Sequence, residues 1–268
     1  MMNIIATIIA AATTFAGVTG NTVHTSRQLI LGGHPVTDSS HQYVAGLRDS
    51  PYENTFCGGV LITKLHVLTT QTCVEHIQDG MSMYAAIGAR YLMGLNFPNG
   101  TQDGERIKVE TITIHPKYNN DTTSYNFALL TLEKESQSTP IQLPTTDVKP
   151  GTYLEAFGWG ATTYSNTIFP KQLQVVELEA WSNDRCDDLY KIDESMICAG
   201  GEVSEGICMG DVGGPLVHKT KSGDVLMGLS SMSDCNLDGT PDIFSRVSSA
   251  MDWLRECIES YTSYSDKA

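Results

Sequence analysis

From about residue 30 onward, short stretches of strand-forming residues alternate with turn-forming clusters, and this punctuation is the feature that most limits how the chain can fold. The stretches are rich in β-branched and aromatic residues, and several carry apolar side chains at every second position, as strands with one buried face do. They include Arg106–Ile114, Tyr153–Phe157, Gln172–Leu178 and Val225–Leu229. Only about 249–261 has the three- and four-residue apolar spacing of a helix. The pattern predicts an all-β, mostly antiparallel protein with a C-terminal α-helix.

The first twenty residues differ from the rest of the chain. Residues 1–20 contain no charged side chain and carry an apolar run from Ile4 to Ala12, followed by small residues where a signal peptidase could cut. We interpret 1–20 as a secretory signal peptide, 21–29 as a short pro-like segment and 30–262 as one folded domain. The alternative, an N-terminal membrane anchor, is disfavoured because a span needs roughly 20 apolar residues.

The chain of 268 residues has a formal net charge of −14. Such a surface repels phosphate backbones and anionic lipids, so we expect no nucleic-acid partner and no membrane partner. The same charge would favour a basic protein partner, or would simply keep a secreted protein soluble.

Cysteine usage fits an extracellular protein. Seven cysteines are present, so six of them can form three bridges in a secreted chain and one is left over. Their spacing leaves the connectivity open. There is no Cys-x-x-Cys pair and no close Cys/His cluster, so we predict no metal site, and nothing indicates a cofactor.

Nine segments, in chain order, resemble the trypsin/chymotrypsin family of serine proteases. They are Ile30-Leu-Gly-Gly, Phe56-Cys-Gly-Gly, His66 to Cys73, His115-Pro-Lys-Tyr, Asn126-Phe-Ala-Leu-Leu, Phe157-Gly-Trp-Gly, Ile197-Cys-Ala-Gly, Cys208 to Leu216, and Asp252-Trp-Leu. The resemblance implies two six-stranded antiparallel β-barrels, at about 30–140 and 141–250, with a cleft between them and the C-terminal helix at about 249–261.

The same resemblance implies a disulfide pattern. The implied bridges are Cys57–Cys73, Cys186–Cys198 and Cys208–Cys235. Cys257 is then the unpaired thiol, on the apolar face of the last helix. It is either buried and inert or the site of an intermolecular bridge.

The three positions that carry catalysis in this family are all substituted here. Where the motifs have histidine, aspartate and serine, this chain has Thr72, Asn126 and Val212. The mechanism needs a hydroxyl nucleophile, an imidazole base and an orienting carboxylate, and none of these groups remains. His66 and His76 lie six residues before and four residues after Thr72, and we expect neither to come within reach of position 212. The sequence predicts a protein without protease activity.

Part of the nucleophile loop is retained. Gly210, Gly213 and Gly214 remain, so the backbone turn that forms the oxyanion hole, at Gly210 and Val212, could persist. Asp211 also remains; in active members it pairs with the amino terminus freed by cleavage. Here Leu29 precedes Ile30, with Arg27 two places earlier, so we expect trypsin-like activation cleavage to be lost or displaced and Asp211 to have another partner.

The substrate-specificity pocket is altered as well. The family pattern places its base at Gly206 and its walls near Ser230–Ser233, which include Ser231, and near Asp242. Asp242 either supplies an acid to this pocket or points to solvent in a turn after Pro241. The usual Ser-Trp-Gly wall is replaced, so we expect a partner to bind surface loops rather than to dock as a substrate.

Two sequons, Asn99-Gly-Thr and Asn120-Asp-Thr, lie in predicted loops and would accept N-glycans in a secreted protein. Sequons this short also arise by chance.

Among inactive serine-protease homologues, the chain most resembles the glucanase inhibitor proteins secreted by plant-pathogenic oomycetes. The residues that carry this likeness are Val67-Leu-Thr-Thr-Gln-Thr-Cys and Gly210-Asp-Val-Gly-Gly-Pro, together with the short leader. Insect immune homologues carry a clip domain, for which there is no room here, and vertebrate antimicrobial homologues are basic. The resemblance implies a monomer, secreted into the plant apoplast, that binds and inhibits a host endo-β-1,3-glucanase. A cofactor or decoy in a protease cascade, or a residual serine hydrolase, are the alternatives.

Overall fold

The computed structural model describes residues 32–37, 40–78, 80–94, 102–162, 168–233, 235 and 238–265. The expected signal peptide, the pro-like segment with Leu29, and Asn99 lie outside the described residues. No helix in the described part of the chain is long and apolar enough to cross a membrane.

The first half of the chain forms a closed, antiparallel six-stranded barrel. Its strands pair in the order β2-β3-β4-β7-β6-β5. They are β2 (Val44–Arg48), β3 (Cys57–Thr63), β4 (His66–Thr69), β5 (Tyr84–Ile87), β6 (Glu105–Ile114) and β7 (Ala128–Leu132). Barrel closure leaves no edge strand, and β2, β4 and β7 are buried along their whole length. The prediction of a six-stranded first barrel is confirmed.

The second half forms a sheet of seven strands rather than the six expected. The extra strand, β1 (His34–Pro35), comes from the N-terminal side and pairs with β9. The pairing order is β1-β9-β8-β11-β12-β13-β10. These are β8 (Tyr153–Gly158), β9 (Gln174–Glu179), β10 (Met196–Gly200), β11 (Pro215–Thr220), β12 (Gly223–Met232) and β13 (Pro241–Arg246). An isolated β-bridge joins Ala180, just after β9, to Ala199 in β10. Because β9 and β10 are the outer two of the six strands that follow β1 in this order, the bridge curls the sheet towards a second barrel.

Helices are few. A short α1 (Asn183–Asp187) is capped by Ser182, whose side chain accepts a hydrogen bond from the Arg185 N–H. The C-terminal helix, α2 (Met251–Ser265), follows a 3-10 turn at Val247–Ala250. It buries Trp253 and Leu254 against the first-barrel core. A terminal helix was predicted, and the structure carries it a few residues further.

The disulfides are Cys57–Cys73, Cys186–Cys198 and Cys208–Cys235, the pairs that the resemblance implied. Cys257 is free, half-buried and packed against the core.

Candidate functional site

Thr72 and Asn126, which stand where the resemblance implies the catalytic histidine and aspartate, come together in the structure. Thr72 lies in a one-turn 3-10 helix (Gln71–Cys73) that follows β4, and Asn126 is fully buried just before β7. The Asn126 Oδ1 atom accepts the Thr72 backbone N–H at 3.2 Å, and Nδ2 donates to Thr72 Oγ1 at 3.3 Å. Nδ2 also donates to Ser231 Oγ at 2.9 Å, which links the first barrel to β12. This network holds two barrels together and offers no group that accepts a proton near neutral pH.

Val212 stands where the resemblance implies the nucleophile. Its carbonyl accepts the Gly58 N–H at 2.7 Å, and its partly buried side chain packs against the first-barrel core. The surrounding turn is intact, because the Gly213 N–H donates to Ser230 O and the Gly214 N–H donates to Asp211 O. Gly210 and Gly213 have φ of +96° and +81°, conformations that favour glycine. The loop therefore keeps its backbone while its side chain cannot attack a carbonyl.

Both neighbouring histidines make contacts with other side chains. His66, in β4, bonds Thr63 Oγ1 through Nδ1 at 2.7 Å, and its ring lies edge-on to Tyr261. Burial lowers the pKa of His66. His76 is exposed, with its ring edge-on to Phe56.

Asp211 is fully buried and is held by two backbone amides. Its Oδ1 accepts the Gly160 N–H at 2.7 Å and its Oδ2 accepts the Cys208 N–H at 2.9 Å. Burial raises the pKa of Asp211 to about 7, although both hydrogen bonds oppose the shift. A Cβ added at Gly158 or Gly160 would overlap this carboxyl group, which explains both glycines of the Phe157-Gly-Trp-Gly motif. Backbone N–H groups thus supply a hydrogen-bond donor to each oxygen of the Asp211 carboxyl group, with no contribution from an amino terminus freed by cleavage.

Hydrogen bonds link the residues of the expected specificity pocket. Ser233, on the segment after β12, donates from Oγ to Ile207 O at 2.7 Å, so one expected wall is bonded to the residue next to the expected base, Gly206. Asp242 is 1% exposed and accepts the Ile207 N–H at 2.9 Å, next to Gly206. Of the two alternatives for Asp242, the solvent-exposed one is wrong, because its carboxyl group is buried beside the expected pocket base.

The predicted glycosylation site within the described residues lies on the surface. Asn120 is exposed in the turn between β6 and β7, where its side chain accepts the Tyr118 hydroxyl at 3.1 Å. Within the described ranges, no group of three or more histidine, cysteine or acidic side chains is gathered as a metal site would require.

Sequence reasoning missed two of these features. The two amide donors to Asp211 and the Ser233 bridge depend on loops brought together by the fold. A lone serine carries no recognisable signal, but the glycines at 158 and 160 were a signal for a close approach.

The barrel, the second sheet and the nucleophile turn define a trypsin-like scaffold, and the chain matches the family model described as Trypsin over residues 30–254. It belongs to the trypsin family. Within that family it is a homologue of the glucanase inhibitor proteins. It is 42% identical to glucanase inhibitor protein 2 of Phytophthora infestans, over 94% of this chain and 97% of the relative. It is 39% identical to glucanase inhibitor protein 2 of Phytophthora sojae, over 96% and 89%. Glucanase inhibitor protein 3 of Phytophthora sojae (strain P6497) is 37% identical, over 96% and 100%.

Proposed function

We propose that this chain is a secreted, non-proteolytic protein that binds and inhibits a plant endo-β-1,3-glucanase in the apoplast. Inhibition would reduce the release of glucan fragments that elicit plant defence. The names of the relatives support an inhibitor of glucanases. The apolar leader at 1–20 and the three disulfides support secretion.

The observation that carries the non-proteolytic part is the side-chain chemistry at three positions. Thr72, Asn126 and Val212 supply no base, no carboxylate and no nucleophile. In serine proteases, loss of a key triad member costs about a million-fold in turnover. These substitutions support a scaffold that acts by binding rather than by catalysis.

The test is inhibition of a plant endo-β-1,3-glucanase hydrolysing laminarin, titrated with the purified protein. A triad-restored variant (Thr72→His, Asn126→Asp, Val212→Ser) is the control. We expect both proteins to inhibit, because the contact surface lies outside the three positions. We also expect the restored variant to leave fluorogenic peptide amides intact, because Ser233 Oγ still bonds the Ile207 carbonyl next to Gly206, the expected base of the specificity pocket. Absence of inhibition across a panel of plant glucanases would remove the proposed target.

We further propose that the protein works without cleavage before Ile30. The two hydrogen bonds that backbone N–H groups donate to Asp211 support this, because each oxygen of the carboxyl group already has a donor. Sequencing the N-terminus of the secreted protein tests it, and a start at Ile30 would contradict it.

A further inference from the structure

The segment Ile168–Lys171 is an exposed, apolar element with a cationic end. Ile168 is 55% exposed and Phe169 is 43% exposed, which is unusual for side chains of this size. The next residue, Pro170, is buried, and Lys171 after it is exposed. Within the described part of the chain, the Lys171 ammonium group makes no ion pair or hydrogen bond. The segment thus presents two apolar side chains and one available cation on a molecule with 31 acidic and 17 basic residues.

Backbone hydrogen bonds hold this segment in place. The Ile168 carbonyl accepts both the N–H and the hydroxyl of Thr162, at 2.8 and 3.0 Å, and the Lys171 carbonyl accepts the Leu92 N–H at 3.1 Å. Pro170 restricts the backbone of Phe169 to extended conformations. The segment is therefore ordered before binding, which lowers the entropic cost of forming an interface.

The segment stands next to the degenerate catalytic loop. A Cβ built on Gly210 would lie 3.2 Å from Phe169 Cε1, so the ring rests against that glycine. Met209, 47% exposed, is held close by because its carbonyl accepts the Ala161 N–H at 2.7 Å. On its other side, the segment walls a groove of about 750 Å³ that faces Tyr91, Leu92 and Met93. Apolar contact surface therefore continues on both sides of the segment.

The substrate cleft of a glucanase has the complementary chemistry. Glycoside hydrolysis generally needs two carboxyl groups flanking the scissile bond. Ligand clefts are lined mainly by apolar and aromatic side chains with a few polar groups. An ordered segment with an aromatic ring and an ammonium group complements the apolar lining and the negative charge of such a cleft.

Resting on the function proposed above, we propose that Ile168–Lys171 enters the glucanase substrate cleft, with Phe169 against its apolar wall and the Lys171 ammonium beside one of the two catalytic carboxylates. The protein then blocks laminarin from binding. A second copy of this chain is a poor occupant, because each copy carries a net charge of −14 and like-charged surfaces repel.

The experiment measures inhibition of a plant endo-β-1,3-glucanase on laminarin by Phe169→Ala and Lys171→Glu. Each variant has a matched control at an exposed position away from the segment: Leu189→Ala, where the side chain is 53% exposed, and Lys149→Glu. We expect Phe169→Ala and Lys171→Glu each to weaken inhibition by about 10- to 100-fold, as central interface residues do. The controls should inhibit like the unmodified protein. Inhibition should raise the apparent KM for laminarin and leave kcat unchanged.

Neutralising each catalytic carboxylate of the glucanase in turn provides a second readout. Binding of the unmodified protein should weaken by about tenfold for one of these glucanase variants, and binding of Lys171→Met should not change. Because Lys171 is exposed, its variants test the contact even if Phe169→Ala loosens the neighbouring turn.

The possible failures are distinguishable. If the unmodified protein inhibits and both segment variants inhibit equally well, the segment is not the contact, and the proposed function stands. A lowered kcat with unchanged KM would overturn entry into the cleft. If the unmodified protein inhibits no glucanase, both proposals fall. Self-association that Phe169→Ala abolishes, with inhibition retained, would assign the segment to a dimer contact instead.

Discussion

Loss of the Asp211 proton is expected to lower the stability of this protein as the pH rises from 4 to 7. The carboxyl group is 1% exposed, and burial raises its pKa to about 7 in the folded protein. In the unfolded chain an aspartate titrates near pH 3.9. Between these values the folded state holds a proton that the unfolded state has released, so raising the pH favours unfolding.

The size of the effect follows from the difference in pKa. Three units at 1.36 kcal/mol each correspond to about 4 kcal/mol, fully available below pH 4 and fully lost above pH 7. Two other carboxylates act in the opposite direction. Hydrogen bonds, outweighing burial, lower the pKa of Glu105 and of Asp193, so their contributions are lost as the pH falls. The pH dependence of the unmodified protein alone would therefore mix these effects.

Comparison with Asp211→Asn isolates the titration of Asp211. In this variant the side-chain nitrogen cannot accept a hydrogen bond, so either the Gly160 or the Cys208 backbone N–H loses its acceptor. The variant should therefore be less stable than the unmodified protein at pH 4. Its stability relative to the unmodified protein should then improve by about 4 kcal/mol between pH 4 and pH 7.

The assay is urea unfolding at five pH values with the disulfides intact. Asp103→Asn controls for the loss of a carboxylate that holds two backbone amides, those of Arg90 and Tyr91. A stability difference between Asp211→Asn and the unmodified protein that stays constant from pH 4 to 8 would refute the reasoning, because it would mean that Asp211 ionises alike in both states.

Four further substitutions test the packing and the surface of the scaffold. Gly58→Ala should destabilise the protein by about 2–3 kcal/mol, because the added methyl group overlaps the Gly214 backbone; the shift of the urea midpoint measures it. Arg246→Met should cost about 2–3 kcal/mol in the same assay, because the buried guanidinium group of Arg246 makes three hydrogen bonds. Asn126→Leu should cost about 2–3 kcal/mol by leaving buried polar groups without partners, and an unchanged midpoint would argue against that network. Asn120→Gln should abolish one glycan-dependent mass shift in the secreted protein, and an unchanged mass would show that this sequon is unused.

Strand patterning predicted the elements well where one face is buried and the other is not. The predicted strand at 106–114 appears as β6 (Glu105–Ile114), and that at 153–157 appears as β8 (Tyr153–Gly158). Alternation marks such strands because successive side chains point to opposite faces. β1 was missed because two residues, one of them a proline, carry no periodicity. Its pairing with β9 depends on the distant edge that the fold provides.

Asp242 shows where local signals mislead. The cluster around Pro241 has the composition of a turn, and an aspartate after it was compatible with a solvent-exposed position. In the structure Pro241 is the first residue of β13, a position that tolerates proline, and Asp242 turns inward. The sequence indicates a turn here, but it does not indicate the residue at which the following strand begins.

The degenerate triad positions also explain how the scaffold remains intact without its chemistry. Asn126 lies where the two barrels meet, and it bonds Thr72 in the first barrel and Ser231 in β12. Its own carbonyl accepts the Ser245 hydroxyl from β13 at 3.0 Å. An asparagine keeps the size and much of the hydrogen bonding of an aspartate, and it needs no imidazole cation to balance a buried charge. With asparagine at position 126, the buried polar groups at this junction keep hydrogen-bond partners. The residue therefore serves the contact between the two halves of the fold, a role that requires neither an imidazole base nor a nucleophile.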